Sequence, residues 1–253
     1  MALTDPYILM LLVFSPFAGS FLALAADRLP RDESIILPRS HCRSCKIPLS
    51  ARDLIPILSF ALTRGRCRHC GAPIPSWLVY FELTTVGLAL FAVVLAPTPM
   101  LAWGYAVFLW LLVTLAAADL HHFRLPDLLT GALLIVALLL AWQTGLPSMT
   151  DAIWGAAIGL GSFLALRLAY FWLRGREGLG LGDVKLMAGL GAALGPEMLP
   201  IMVLMASLAA LASALIGALM GRSHAMQATR PLPFGAALAA ATGLLWLTLR
   251  LPV

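Results

Sequence analysis

The sequence predicts an all-α polytopic membrane protein of about eight transmembrane helices, with a small cytoplasmic domain inserted after the first. Two observations lead there. Of 253 residues, 61% are apolar and 11% charged, with a mean hydropathy of +0.93, whereas soluble domains carry about a quarter charged residues. The apolar residues also gather in runs that, at about 1.5 Å per residue, cross or nearly cross roughly 30 Å of hydrocarbon.

Those runs fall at residues 7–26, 77–96, 101–118, 128–143, 152–173, 198–220 and 233–249. The stretch 184–194 is too short to span alone; counted as a helix, it brings the total to eight. Nine of the 17 Lys and Arg lie between Arg28 and Arg68, and six more are Arg124, Arg174, Arg176, Lys185, Arg222 and Arg230. Basic loops stay on the cytoplasmic side, which assigns all of these to one face. The loops at 97–100, 144–151 and 195–196 hold no Lys or Arg and go to the other, with both termini outside. The net charge of +5 thus reflects orientation in a bilayer, and nucleic acid is not an expected partner.

The first run reads as a retained helix. A cleaved signal peptide carries positive charge ahead of its apolar stretch, and the residues before Tyr7 hold only Asp5. After it comes the one substantial polar segment, residues 27–76, broken by six prolines. This gives three expected parts: 1–26 a first transmembrane helix, 27–76 a cytoplasmic polar domain, and 77–253 a membrane domain.

All four cysteines stand in the polar segment, as Cys42-Arg-Ser-Cys45 and Cys67-Arg-His-Cys70. Two such pairs at this separation match a zinc ribbon, in which four thiolates close a tetrahedral structural site. Disulfides are the competing reading, but they belong to oxidising compartments, and the flanking arginines place this loop in the cytoplasm. A segment with so little apolar content has need of a metal staple. His41 and His69 stand beside the pairs and are not required.

The next two runs form a hairpin turned at Pro97 and Pro99, with Glu82 read as an interfacial acid facing the basic loop. Asp119 ends the run 101–118, where the helix dipole opposes negative charge; such surroundings suit an acid that exchanges a proton near neutral pH. Asp127, after Pro126, reads as a capping residue at a helix start, where the dipole stabilises a carboxylate. His121 and His122 read as solvated loop residues. Arg167 is expected to reach outward to the cytoplasmic interface.

The run Gly178-Leu-Gly180-Leu-Gly182-Asp183-Val-Lys185 carries charge between two apolar stretches. Ionisable groups at membrane depth are costly and mark functional sites. Irregular backbone there survives only when enclosed by protein or lining a wet cavity. Asp183 would serve as cap for the short helix 184–194, but capping does not call for three alternating glycines. Lys185 either orients Asp183 or is an ordinary cytoplasmic lysine. The last loop, 221–232, leads to a final helix opening with Pro233-Phe-Gly235.

Two carboxylates brought together cannot both be comfortably ionised. One can take a proton from water while the other donates to a carbonyl or leaving amine, which is amide hydrolysis by the aspartic mechanism. Neither Gly-x-Ser-x-Gly nor His-Glu-x-x-His occurs. Two other classes stand beside this reading: a metal-dependent hydrolase using Asp119, His121, His122, Asp127 and Asp183, and an ion carrier with Asp119 and Asp183 on its path.

The run from Gly178 to Leu186 closely resembles the Gly-x-Gly-Asp signature of the type IV prepilin peptidases, and the resemblance covers nearly the whole chain. Gly19-Ser-Phe-Leu22, Arg28-Leu-Pro30, Pro38-Arg-Ser-His-Cys42, Ile55-Pro-Ile-Leu-Ser59, Arg64-Gly-Arg-Cys-Arg68, Asp119 with Leu125-Pro-Asp127, and Pro233-Phe-Gly235 look like family landmarks in the family's order. The resemblance implies catalysis by Asp119 and Asp183, with Gly180, Gly182 and Lys185 supporting the catalytic loop. It also implies structural Zn2+ on Cys42, Cys45, Cys67 and Cys70. The implied reaction is removal of the basic leader of type IV prepilins or type II secretion pseudopilins at the cytoplasmic face of the bacterial inner membrane, within the lipid bilayer. A second implied reaction methylates the new N-terminus with S-adenosylmethionine. Ala23 and Leu54 stand where the family usually has asparagine, in or beside the polar segment associated with methyl transfer, so the peptidase residues are the more complete set.

Overall fold

The computed structural model describes residues 5–37, 39–176, 178–220 and 232–251. Its chain divides into two compact units, Met1–Ala106 and Val107–Val253. Among the described residues there are helices, short 3-10 turns and two isolated bridges, and no strand.

In the first unit, α1 (Pro6–Arg28) starts from Asp5, whose carboxylate accepts the Tyr7 N–H at 2.8 Å. It packs on α3 (Ser76–Leu95). Lipid provides no hydrophobic drive for such packing, so close approach and interhelical hydrogen bonds provide it. At Gly19 a methyl group would strike Thr85 Oγ1 and lie 3.0 Å from Glu82 Cα, and the Thr85 hydroxyl donates to the Ser15 carbonyl at 3.1 Å. Between these helices the polar segment holds little regular structure beyond α2 (Leu58–Leu62) and a 3-10 turn at Ala51–Leu54. Helix α4 (Pro99–His122) begins in this unit and ends in the second.

The second unit is built around α7 (Leu181–Leu194), whose residues from Leu186 to Leu194 are all buried. It packs against α5 (Asp127–Thr144), α6 (Met149–Arg174) and α9 (Phe234–Thr248). Glycines set these crossings. A methyl group on Gly155 of α6 or on Gly191 of α7 would overlap the other's carbonyl oxygen, and one on Gly159 would lie 2.6 Å from the Met187 carbonyl oxygen. Helix α8 (Leu199–Leu219) packs on α9.

Among the described residues, six helices are long and apolar enough to cross a membrane: Pro6–Arg31, Ser76–Leu95, Pro99–His122, Asp127–Thr144, Met149–Arg174 and Pro196–Leu219. Of the two further helices that the expected eight would need, α9 is apolar but shorter than a span, and α7, at 14 residues, is shorter still. Two boundaries differ from the sequence reading. Helix α4 runs on to His122, so Asp119, His121 and His122 are helical; nothing stops the helix until Phe123, whose φ of 53° is left-handed. Helix α7 begins at Leu181 with Gly180 in extended conformation as its N-cap. Asp183 is therefore the third residue of the helix and not its cap. The last loop, with Arg222 and Arg230, lies almost wholly outside the described residues, as do Pro38 and Glu177.

Candidate functional sites

The two cysteine pairs fold into matching knuckles. Cys42 N–H donates to the Ile47 carbonyl at 3.0 Å and Lys46 N–H returns to the Cys42 carbonyl at 2.9 Å. Cys67 with Ala72, at 2.8 Å, and Gly71 with Cys67, at 2.9 Å, repeat the pattern. Both turns close through a left-handed residue, Lys46 at φ 61° and Gly71 at φ 70°. All four sulfurs lie within 4.8 Å of one another, and Cys42 Sγ is 3.8 Å from Cys70 Sγ. A zinc ion with bonds of about 2.3 Å needs tetrahedral edges of about 3.8 Å, so the four thiols fit it. The N–H groups of Cys45 and Ser44 lower the Cys42 thiol to about 6, towards the ligating thiolate.

Around the knuckles, Asp27 pairs with Arg31 at 2.8 Å and with Arg43 at 2.7 Å, and Asp53 pairs with Arg68 at 2.7 Å. Glu82 faces the basic loop as expected, but meets it through backbone. It is buried, and its Oε2 accepts the Ile57 N–H at 2.7 Å. Ile57 has φ 60° and ψ −52°, and Leu58 N–H donates to the Pro56 carbonyl across it. That is the rare, strained form of the three-residue turn, anchored by a carboxylate. A cavity of about 1070 Å³ in this unit is bounded by Asp27, Arg28, Asp53, Glu82 and aromatic residues including Phe21 and Phe60.

In the second unit, α4 and α7 bring Asp119 and Asp183 together from 64 positions apart. Asp119 is 6% exposed. A methyl group added at Gly235, on the first turn of α9, would lie 3.1 Å from Asp119 Oδ2 and 3.1 Å from Asp183 Oδ1. The two carboxylate oxygens are therefore no farther apart than twice that distance, with Gly235 between them. The Ala236 N–H donates to Asp119 Oδ2 at 2.8 Å, and the Gly235 N–H faces the same carboxylate. Asp183, at the third position of α7, reaches back to the Gly180 N–H, as acids there do in capping boxes.

The glycine run has separate tasks. A methyl group on Gly182 would lie 2.9 Å from Leu125 Cβ, and one on Gly178 would meet the Tyr170 ring at 2.5 Å. Both glycines permit backbone to press against a side chain. Arg167 does not reach outward: its Nη1 donates to the Leu179 carbonyl, so α6 holds the loop that launches α7. Lys185 points away from Asp183 and pairs with Asp127. Asp127 is not the cap it was expected to be: Pro126 holds that position and Asp127 is the first residue of α5, its carboxylate taken by Lys185 instead of by the N–H groups of its own helix.

The structure thus assembles the four cysteines in one unit and the two aspartates, with Gly180 and Gly182, in the other. Gly235 and Ala236 were missed as site residues. Backbone N–H groups leave no mark in a sequence; the available signal was a glycine directly after Pro233-Phe234 at a helix start.

Comparison with known proteins agrees with this division. Residues 13–96 match the model of the bacterial peptidase A24 N-terminal domain, and residues 106–215 match that of the type IV leader peptidase family. A prepilin leader peptidase/N-methyltransferase of Aeromonas hydrophila is 38% identical over 213 residues, covering 74% of this chain and 72% of the relative. One from Burkholderia pseudomallei is 38% identical over 219 residues, covering 85% and 69%. A type 4 prepilin-like proteins leader peptide-processing enzyme of Escherichia coli is 38% identical over 167 residues, covering 63% and 60%. No solved structure matches the chain.

Proposed function

The chain belongs to the type IV leader peptidase family, and from this we propose that it is a membrane aspartic endopeptidase in which Asp119 and Asp183 hydrolyse the peptide bond that joins a leader to a prepilin or pseudopilin. The observation that carries the reading is the convergence of Asp119 Oδ2 and Asp183 Oδ1 on Gly235. Carboxylates this close favour sharing one proton. The ionised member draws a proton from water, the water oxygen attacks the scissile carbonyl, and the protonated member donates its proton to the carbonyl oxygen. The member that took the water proton then passes it to the leaving nitrogen as the C–N bond breaks, and the collapsing gem-diol returns a proton to the other carboxylate. No covalent intermediate is needed. The ion-carrier reading has no observation in its favour, and the metal-hydrolase reading loses Asp127, which is held by Lys185.

Zn2+ is proposed on Cys42, Cys45, Cys67 and Cys70. Four thiolates leave no open position for catalysis; when bound, the ion supplies a cross-link between the two knuckles. Methyl transfer from S-adenosylmethionine to the new N-terminus is proposed as a second reaction, in keeping with the relatives' names. The cavity bounded by Asp27, Arg28 and Glu82 has the size for such a donor. By charge distribution, the polar segment and the aspartate end of the bundle face the cytoplasm of the inner membrane.

Purified protein incubated with a prepilin and S-adenosylmethionine, followed by mass spectrometry of the mature N-terminus, reports both reactions. Asp119→Asn and Asp183→Asn are each expected to lower cleavage by at least about a hundredfold with the protein still folded and inserted. Cleavage that survives either change removes the dyad.

A further inference from the structure

The third wall of the aspartate site carries no titratable side chain. Helix α9 starts after Pro233, so the N–H groups of its first turn have no partner within the helix. Phe234 N–H is taken by the Leu232 carbonyl at 2.8 Å. The next two face Asp119, with the Ala236 bond at 2.8 Å and buried. The start of α9 is itself fixed: the Phe234 ring stacks on Phe163 of α6 with centroids 6.4 Å apart and planes 13° from parallel. Further along, Trp246 packs on Phe108 of α4, the helix that carries Asp119, with centroids 4.9 Å apart.

Gly235 has no left-handed φ to explain it, and glycine within a helix is unfavourable. What it supplies is space. A methyl group there would sit at 3.1 Å from an oxygen of each aspartate and 2.8 Å from Leu125 Cδ1, closing the gap into which both acids point.

We infer that Gly235 and Ala236 are positioning residues for the aspartate pair: the Ala236 N–H fixes the Asp119 carboxylate so that Oδ2 faces Asp183, and the bare Gly235 keeps the space between the acids open for water and the scissile peptide. This rests on the proposed dyad and adds α9 to it as a third component. The backbone N–H matters and the alanine methyl does not, so proline at 236 removes the donor without breaking a helical hydrogen bond, and glycine preserves it.

The test uses the full chain, a prepilin substrate and steady-state rates, with folded protein measured by thermal melting. Ala236→Pro is expected to fall about tenfold or more below Ala236→Gly in kcat, with KM within about twofold, because an N–H donated to a charged group is lost. Gly235→Ala is expected to lose about tenfold or more in kcat. Cleavage within threefold of the parent by both Ala236→Pro and Gly235→Ala overturns the inference, as does a loss that vanishes when rates are scaled to folded protein. If Ala236→Pro does not fold, Gly235→Ala decides alone. Asp119→Asn and Asp183→Asn in the same assay separate the two claims: inactive asparagine variants beside active α9 variants leave the dyad standing and remove α9, whereas active asparagine variants remove the dyad itself.

Discussion

The ammonium of Lys185 lies 2.7 Å from both carboxylate oxygens of Asp127, tying the N-terminal part of α7 to the first turn of α5. The bond turns Lys185 away from Asp183, two residues earlier in α7, and gives Asp127 a partner in place of a share in the chemistry.

That pair is exposed, the Lys185 side chain at 43% and Asp127 at 74%, and exposed ion pairs contribute less than about 1 kcal/mol. Lys185→Met and Asp127→Asn are each expected to retain cleavage within severalfold of the parent and to leave thermal stability nearly unchanged. Cleavage rates of the two variants, measured beside Asp183→Asn, check this. A loss for Lys185→Met approaching that of Asp183→Asn would place the lysine on substrate.

The close α6–α7 crossing makes a second expectation. Gly155 and Gly191 face each other backbone to backbone, and a methyl group on either overlaps the other's carbonyl, so the helices must separate. Gly191→Ala and Gly155→Ala are expected to destabilise by about 1–3 kcal/mol, as overpacking does. Gly161→Ala in α6 and Gly131→Ala in α5 meet nothing within 4 Å and are expected to be neutral or slightly stabilising, since alanine is the better helix former. Melting temperatures of the four variants in one detergent test the contrast; equal losses in all four would discard it.

Helices were legible in the sequence because a bilayer admits only helices and closed barrels, and continuous apolar runs of this length fit helices and not the short alternating strands of a barrel. The cysteine knuckles were legible because each is local, with its hydrogen bonds closing within six residues. What escaped was set by tertiary contact. Polar residues after Asp119 signal an end to α4 there, whereas the helix continues to His122. Glycine reads as loop and so signals a start of α7 after the run, yet Gly182 is helical and needed for its approach to Leu125. Arg167 and Ala236 act on or through backbone groups, which every residue possesses and no pattern distinguishes.

The knuckles carry a third expectation. The thiols must be deprotonated to ligate, so protons compete with metal, and affinity is full at neutral pH and falls as pH drops. Purified protein is expected to hold about one zinc per chain by elemental analysis at neutral pH and to release it on acidification. Cys67→Ser, at the buried cysteine, is expected to abolish binding and to speed proteolysis within residues 39–75. Zinc retained by that variant would show that the four sulfurs are not a closed set.

Glu82 and Ile57 supply the last. An isoleucine at φ 60° costs on the order of 1–3 kcal/mol and persists only where its surroundings hold it. Here the holder is the carboxylate of Glu82, accepting the Ile57 N–H at 2.7 Å from within α3, with the Ser20 hydroxyl as a further partner. Removing the acceptor orphans a part-buried N–H and frees the turn. Glu82→Leu is expected to destabilise by about 1–3 kcal/mol and to expose residues 55–59 to protease, although leucine suits an apolar helix better than glutamate. Glu82→Gln keeps a carbonyl oxygen for the same N–H and is expected to lose less than half as much. Limited proteolysis and melting of the two variants decide the matter: if the leucine variant matches the parent in both, the turn holds itself and the buried acid serves something else.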